Sequence, residues 1–109
     1  MIHKTIKTGN PFNMVSIIRD AMTREPIEIT TDMQFAATII NARGQVIATC
    51  EVTVLDQSVA KGGVQYSVNE SVTATWKAGT AQTDIKATIG GVPTNSSNYS
   101  FTIERSITP

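Results

Sequence analysis

Apolar and polar residues alternate along several stretches of this chain of 109 residues. The clearest example is the run Gln45–Leu55, in which Val46, Ala48, Cys50, Val52 and Val54 occupy every second position. A period of two is characteristic of strands with one buried face and one face in water. No segment between the alternating runs has the pattern of a long helix. The pattern therefore predicts a small, antiparallel, all-β domain.

Seven extended segments follow one another at a spacing of roughly ten residues, which is typical of a sandwich or a barrel. They are Phe12–Arg19, Pro26–Thr30, Met33–Asn41, Gln45–Leu55, Val64–Val68, Thr80–Ile89 and Tyr99–Ile107. We predict an antiparallel β-sandwich of about seven strands with immunoglobulin-like topology. Residues 1–10 are expected to be an N-terminal arm or a short edge strand, and residues 11–109 a single sandwich domain.

Three of the connections carry their own local signals. Asn41-Ala42-Arg43-Gly44 predicts a hairpin turn, with glycine at a position that needs a positive φ. Ser71 is positioned to cap a single helical turn that runs to Trp76, because its hydroxyl can accept an unpaired backbone N–H. Residues 90–97 read as a long polar turn, because they begin with two glycines and continue with proline, asparagine and serine.

Charge and cysteine content narrow the range of partners. Nine basic and nine acidic residues cancel, which argues against nucleic acid or an anionic membrane as a partner and is compatible with self-association. Cys50 is the only cysteine, and we expect it to be a buried, unreactive thiol. Neither a signal peptide nor a membrane span is recognisable, so we expect the protein to be made in the cytoplasm.

The residue types that carry chemistry do not cluster in the sequence. His3 is the only histidine, and no calcium-binding loop, phosphate-binding loop or nucleophile elbow is present. We therefore expect no enzyme activity, no cofactor, no metal site and no small-molecule substrate. Asp84 is the most interesting acid, because it shares a strand face with Gln82 and Lys86; we expect it to form a salt link to a neighbouring strand.

Most aromatic residues occupy positions predicted to face the core. Trp76 is the exception, because it lies in a turn, where it could close one end of the sandwich or belong to a protein interface. The residues that we predict to contact a partner are Trp76, Tyr99 and Asp84.

The order of several short motifs resembles small β-sandwich domains of tailed-phage and prophage virion proteins, such as the N-terminal domains of baseplate and tail-fibre-associated proteins. The motifs are Pro26–Thr30, Val52–Gln57, Trp76–Gly79, Thr83–Lys86 and the ending Ile107-Thr108. Thr83 departs from the pattern, because an aromatic residue usually precedes the aspartate there. The resemblance implies a structural protein of a phage tail, baseplate or head–tail region. It would be assembled in the cytoplasm of the bacterial host and would contact copies of itself and other virion proteins.

Two other functions remain open from the sequence. A carbohydrate-binding or adhesin-like sandwich would present Trp76 and Tyr99 close together on its surface. A small enzyme would need a concave pocket around Asp84 or His3.

Overall fold

The computed structural model describes residues 4–96 and 98–108. Within them the chain forms nine strands and one helical turn. The elements are β1 (Lys4–Lys7), β2 (Phe12–Ile17), β3 (Gln34–Asn41), β4 (Val46–Thr49), β5 (Glu51–Val54), β6 (Gly63–Val68), α1 (Glu70–Thr73), β7 (Gly79–Ile89), β8 (Val92–Asn95) and β9 (Tyr99–Glu104). The predicted all-β sandwich is confirmed. The described residues contain no helix that is long and apolar enough to cross a membrane.

The larger sheet has the order β1-β9-β7-β3-β4. Its longest strand, β7, pairs with β9 along residues 79–83 and with β8 along residues 86–89, so that β8 and β9 lie end to end against one edge of β7. Its other edge pairs with β3 in antiparallel register from Gln34↔Thr88 to Asn41↔Ala81. The edge strand β1 runs parallel to β9, unlike every other pair of named strands in the described chain.

The smaller sheet has the order β2-β6-β5 and packs on the larger one. Its central strand, β6, is the most buried, with Val64 and Tyr66 fully enclosed. Side chains from both sheets form one core around the aromatic rings of Phe12, Trp76 and Phe101. Burying side chains of this size stabilises the fold by about 1.5–3 kcal/mol each, so this joint core holds the two sheets together.

The prediction of one strand at Gln45–Leu55 is wrong, because this run crosses from one sheet to the other. β4 pairs with β3 in the larger sheet, and β5 pairs with β6 in the smaller one. Cys50 lies at the crossing, where its backbone N–H donates to the Ala37 carbonyl at 2.9 Å and its side chain is 7% exposed. Apolar and polar residues keep alternating through the crossing. The run lies at the margin of the sandwich, so Val46, Val52 and Val54 stay partly exposed.

Two more predicted segments differ from the structure. Pro26–Thr30 forms no strand, and its only strand-type pairing in the described chain is the single bridge Arg19↔Pro26. The prediction of one long turn at residues 90–97 is wrong for its described part, residues 90–96. Gly90 and Gly91 adopt positive φ angles of 60° and 78° in a tight turn, which lets the chain fold back on β7 as β8.

The turn predictions are confirmed at the hairpin and corrected at the helix. Gly44 has a φ of 79° and donates its N–H to the Asn41 carbonyl at 3.0 Å. The helical turn α1 is capped by Asn69 and not by Ser71. Asn69 has an extended backbone and its side-chain oxygen accepts the Ser71 N–H at 2.8 Å, which is the geometry that a cap requires.

Candidate interaction site

The three residues predicted to contact a partner lie in different parts of the sandwich. Trp76 is 6% exposed, and its ring centroid lies 6.3 Å from that of Phe12 and 6.2 Å from that of Phe101. Its indole Nε1 donates to the Ile47 carbonyl at 3.2 Å. Trp76 therefore closes one end of the core, and its ring is not displayed on the surface of this chain.

Asp84 lies on the outer face of the larger sheet, at the junction of β7 with β8. Its Oδ2 accepts a hydrogen bond from the Asn95 side-chain amide at 2.9 Å. The expected salt link is wrong, since the one ion pair among residues 4–96 and 98–108 joins Lys7 to Glu104 at 4.0 Å. The reason is the hairpin: β8, which the sequence did not predict, places an amide beside Asp84 in place of a cation.

Tyr99 lies at the start of β9 and is 49% exposed. It pairs with Thr83 on the side of the larger sheet that faces the smaller sheet. No described strand of the smaller sheet extends far enough to cover it. Tyr99 therefore lies at the margin of a depression between the two sheets.

We call this depression the β2 groove. It has a volume of about 490 Å³ and is lined by β2, by Lys4 and Arg19, and by residues of β7 and β9. Met14 and Ser16 line it from the smaller sheet, and Ile85, Tyr99 and Phe101 line it from the larger one. The groove exists because the smaller sheet ends at β2, whereas the larger sheet continues beyond β7 to β9 and β1.

One hydroxyl pair connects the groove to the core. Ser16 Oγ donates to the phenol oxygen of the buried Tyr66 at 3.3 Å. Burial raises the pKa of Tyr66, and this hydrogen bond offsets part of the rise. Tyr66 is therefore a neutral residue of the core, buried behind Ser16.

The outer edge of β2 presents backbone groups to the groove. Ile18 donates its N–H to the Gly62 carbonyl on the β6 side at 2.9 Å. Backbone groups of successive strand residues point to opposite edges, so Asn13, Val15 and Ile17 direct their N–H and C=O groups outward. A hydrogen bond from Lys4 agrees with this orientation. The Lys4 Nζ lies on the groove side and donates to the Asn13 carbonyl at 2.6 Å.

The charged side chains that line the groove are both positive. Lys4 lies near one end of β2, with Nζ 5.1 Å from the centre of the Phe12 ring. Arg19 lies beyond the other end and donates from Nη1 to the Arg24 carbonyl at 3.1 Å. No described acidic residue lines the groove. The β2 groove is therefore an apolar surface with a cation at each end.

The other shifted pKa values among the described residues have local causes. Burial raises the pKa of the Cys50 thiol to about 11, which keeps it protonated. Bonds from the turn N–H groups of Thr23 and Met22 lower the pKa of Asp20, and bonds from the Ser58 hydroxyl and N–H lower that of Asp56. Across the described ranges no three metal-ligating side chains converge. His3 lies outside those ranges.

Sequence reasoning missed β2 as the side of a groove. The available signal was that Phe12–Arg19 carries apolar residues on both faces: Phe12 and Met14 on one, Val15 and Ile17 on the other. An edge strand shows this pattern when both of its faces make apolar contacts.

The comparisons with known proteins do not assign this chain to a family. The chain matches no protein-family model and no curated protein. The resemblance to virion proteins stays a prediction.

Proposed function

We propose that this protein is a structural or assembly component of a phage or prophage particle, in its tail, baseplate or head–tail region, and that it acts through protein–protein contacts. The observation that carries the proposal is the outer edge of β2, which pairs with no described strand and lies beside an apolar groove. An edge strand offers unpaired backbone donors and acceptors, which another polypeptide can satisfy. The expected partners are copies of the chain and other virion proteins.

The strand order supports an immunoglobulin-like type of sandwich. The sheets β9-β7-β3-β4 and β2-β6-β5 correspond to the G-F-C-C′ and B-E-D strands of such domains. In that comparison β2 is strand B, and the outer neighbour that strand B has in immunoglobulin constant domains has no counterpart among the described strands of the smaller sheet. This correspondence supports the proposal, because it identifies β2 as the edge at which the small sheet is incomplete.

A carbohydrate-binding function has weaker support. It relied on Trp76 and Tyr99 forming an exposed aromatic pair, and Trp76 is buried. Tyr99 alone offers one partly exposed ring, next to backbone groups that suit a peptide better than a sugar.

The proposed function is tested on particles. Prophage is induced in the bacterial strain that encodes the chain, particles are purified on a density gradient, and mass spectrometry detects the chain. We expect the chain to sediment with the particles in a fixed ratio to the other virion proteins. In parallel, light scattering across a concentration series should give a defined oligomer. A chain that is absent from the particles would overturn the proposal, and a monomer at every concentration would count against copies of the chain as partners.

A further inference from the structure

We propose that the β2 groove binds an extended segment of another protein, which joins the smaller sheet as a fourth strand next to β2. The segment has alternating apolar side chains and an acidic residue near each end. This inference rests on the proposed function, because it specifies the kind of contact by which the protein assembles.

The backbone of β2 defines the length of the segment. Asn13, Val15 and Ile17 direct their N–H and C=O groups toward the groove. Of these groups, the Asn13 carbonyl accepts a hydrogen bond from the Lys4 ammonium. Antiparallel or parallel addition of a strand would satisfy them. From Asn13 to Arg19 an extended chain covers about 20 Å, at roughly 3.3 Å per residue, so the bound segment has about seven residues.

The side chains around β2 select alternating residues in that segment. Every second side chain would enter the groove and contact Met14, Ile85 and Tyr99. The others would continue the outer face of the smaller sheet next to Val15 and Ile17, which are 55% and 39% exposed. The strand thus gains apolar contact on both faces, most of it on the groove side.

Charge complementarity selects the ends of the segment. Lys4 and Arg19 lie near opposite ends of β2, and neither forms an ion pair with a carboxylate in the described chain. An acidic residue near each end of the bound strand would pair with them. Pairing would also draw Lys4 away from the Asn13 carbonyl, which then becomes free to accept a strand N–H.

A second copy of this chain fits the edge less well. In antiparallel pairing of two β2 strands about Val15, Asn13 of each copy would face Ile17 of the other. Lys4 of each copy would then approach Arg19 of the other, and like charges at such an interface are unfavourable. The charge pattern therefore favours a different, acidic segment at this edge, and the contacts between copies that the proposed function expects would use another surface.

The test joins a model segment to the chain, so that weak binding is still detected. The peptide Asp-Val-Thr-Val-Thr-Val-Glu is fused before Met1 through a Gly/Ser linker of about 15 residues. Such a linker spans about 20 Å and gives an effective concentration in the millimolar range. A control fusion carries lysine in place of both acidic residues. Amide hydrogen exchange at Val15 and Ile17, measured by NMR, reports whether the edge is paired.

We expect exchange at both amides to slow at least tenfold in the acidic fusion, with a rise in Tm, and to slow much less in the lysine fusion. Val15→Pro should abolish the effect at Ile17, because it removes an outward N–H without removing a bond to β6. The double variant Lys4→Glu, Arg19→Glu should reverse the preference between the two fusions, and it keeps the test valid if Val15→Pro folds poorly.

Equal exchange with and without the acidic fusion would overturn the inference, as would equal slowing by the acidic and lysine fusions. A dimer of the unfused chain that Val15→Pro dissociates would also overturn it, in favour of a second copy as the occupant. The proposed function fails by a different result. In that case the chain is missing from the particles, whether or not the groove accepts a strand.

Discussion

The side-chain amide of Gln57 holds the backbone of Ile29, 28 residues earlier in the chain, through a hydrogen bond of 2.8 Å from the Ile29 N–H to Oε1. The same oxygen accepts the Gly62 N–H at 2.9 Å, and Nε2 donates to the Leu55 carbonyl at 2.8 Å. One side chain thus replaces the ladder bonds that the segment around Ile29 lacks, because that segment forms no strand.

Gln57→Ala should therefore lower the free energy of unfolding by about 2–3 kcal/mol, since it leaves the buried Ile29 and Gly62 N–H groups without an acceptor. Urea denaturation measures the loss. Gln45→Ala is the matched control, because Gln45 is exposed and its side chain bonds only to the Asn41 side chain in the described chain; it should cost less than about 1 kcal/mol. Equal losses in the two variants would contradict this role of Gln57.

Truncation of Trp76 should destabilise the fold far more than truncation of Tyr99. Trp76→Ala should cost about 3–5 kcal/mol, because it empties the end of the core between Phe12 and Phe101. Tyr99→Ala should cost less than about 1 kcal/mol, because half of its ring is already in water. Thermal unfolding of the two variants measures the contrast. A greater loss of Tm for Tyr99→Ala would show that the groove is part of the core.

Gly62 and Gly91 provide a matched pair for backbone crowding. Both have positive φ angles, of 80° and 78°. A Cβ at Gly62 would lie 2.7 Å from the Ile18 carbonyl oxygen, whereas a Cβ at Gly91 meets nothing within 4 Å. Gly91→Ala should cost about 1–2 kcal/mol from backbone strain alone, and Gly62→Ala should cost clearly more. Similar melting temperatures for the two variants would contradict the close approach of Gly62 to Ile18.

Acid should weaken the loop that begins at Asp56. The Ser58 hydroxyl and N–H hold the pKa of Asp56 below its ordinary value, so the folded chain binds this proton less readily than the unfolded chain. The contribution of Asp56 is therefore complete above the unfolded pKa of about 3.9 and is lost as the pH falls through the folded pKa. Ser58→Ala should move the Asp56 pKa upward in an NMR titration, whereas the pKa of Asp20 should not change.

Alkali should weaken the crossing between the sheets. Burial raises the Cys50 pKa to about 11, so the unfolded chain loses this proton first. Stability should fall as the pH rises from the ordinary thiol value of about 8.5 through about 11, and Cys50→Ala should remove this part of the decline. At pH 8 a thiol reagent should label the native chain far more slowly than the chain in urea. Equal labelling rates would show that the thiol is accessible.

The strands that were predicted well are those whose alternation matches a single environment from end to end. β3, β6 and β7 are examples, with Ala37, Tyr66 and Ala81 on the core side as their period requires. The change of sheet at Cys50 could not be predicted, because alternation is the same on both sides of the crossing. What changes there is the partner strand, which is β3 before the crossing and β6 after it. The residues around Cys50 do not encode which strand they will pair with.

The candidate site depends even more on distant residues. Tyr99 was singled out from the sequence, but its partial exposure follows from where the smaller sheet ends, at β2. Trp76 lies in a local sequence that reads as a turn, and its burial depends on Phe12 and Phe101, which precede and follow it by many residues. Lys4 and Arg19 carry no local signal, since they acquire a role only when β2 lies at an edge between them.

The parallel pairing of β1 with β9 also determines how the domain would carry mechanical load. Lys4↔Phe101 and Lys7↔Glu104 are the two ends of this pairing, and the Thr8 N–H extends it with a 2.9 Å bond to the Glu104 carbonyl. Tension on the chain before Lys4 and after Glu104 would pull the two strands past each other along their length. All of the bonds between them would share that shear at once, instead of opening one by one as they would if the strands were peeled apart from one end.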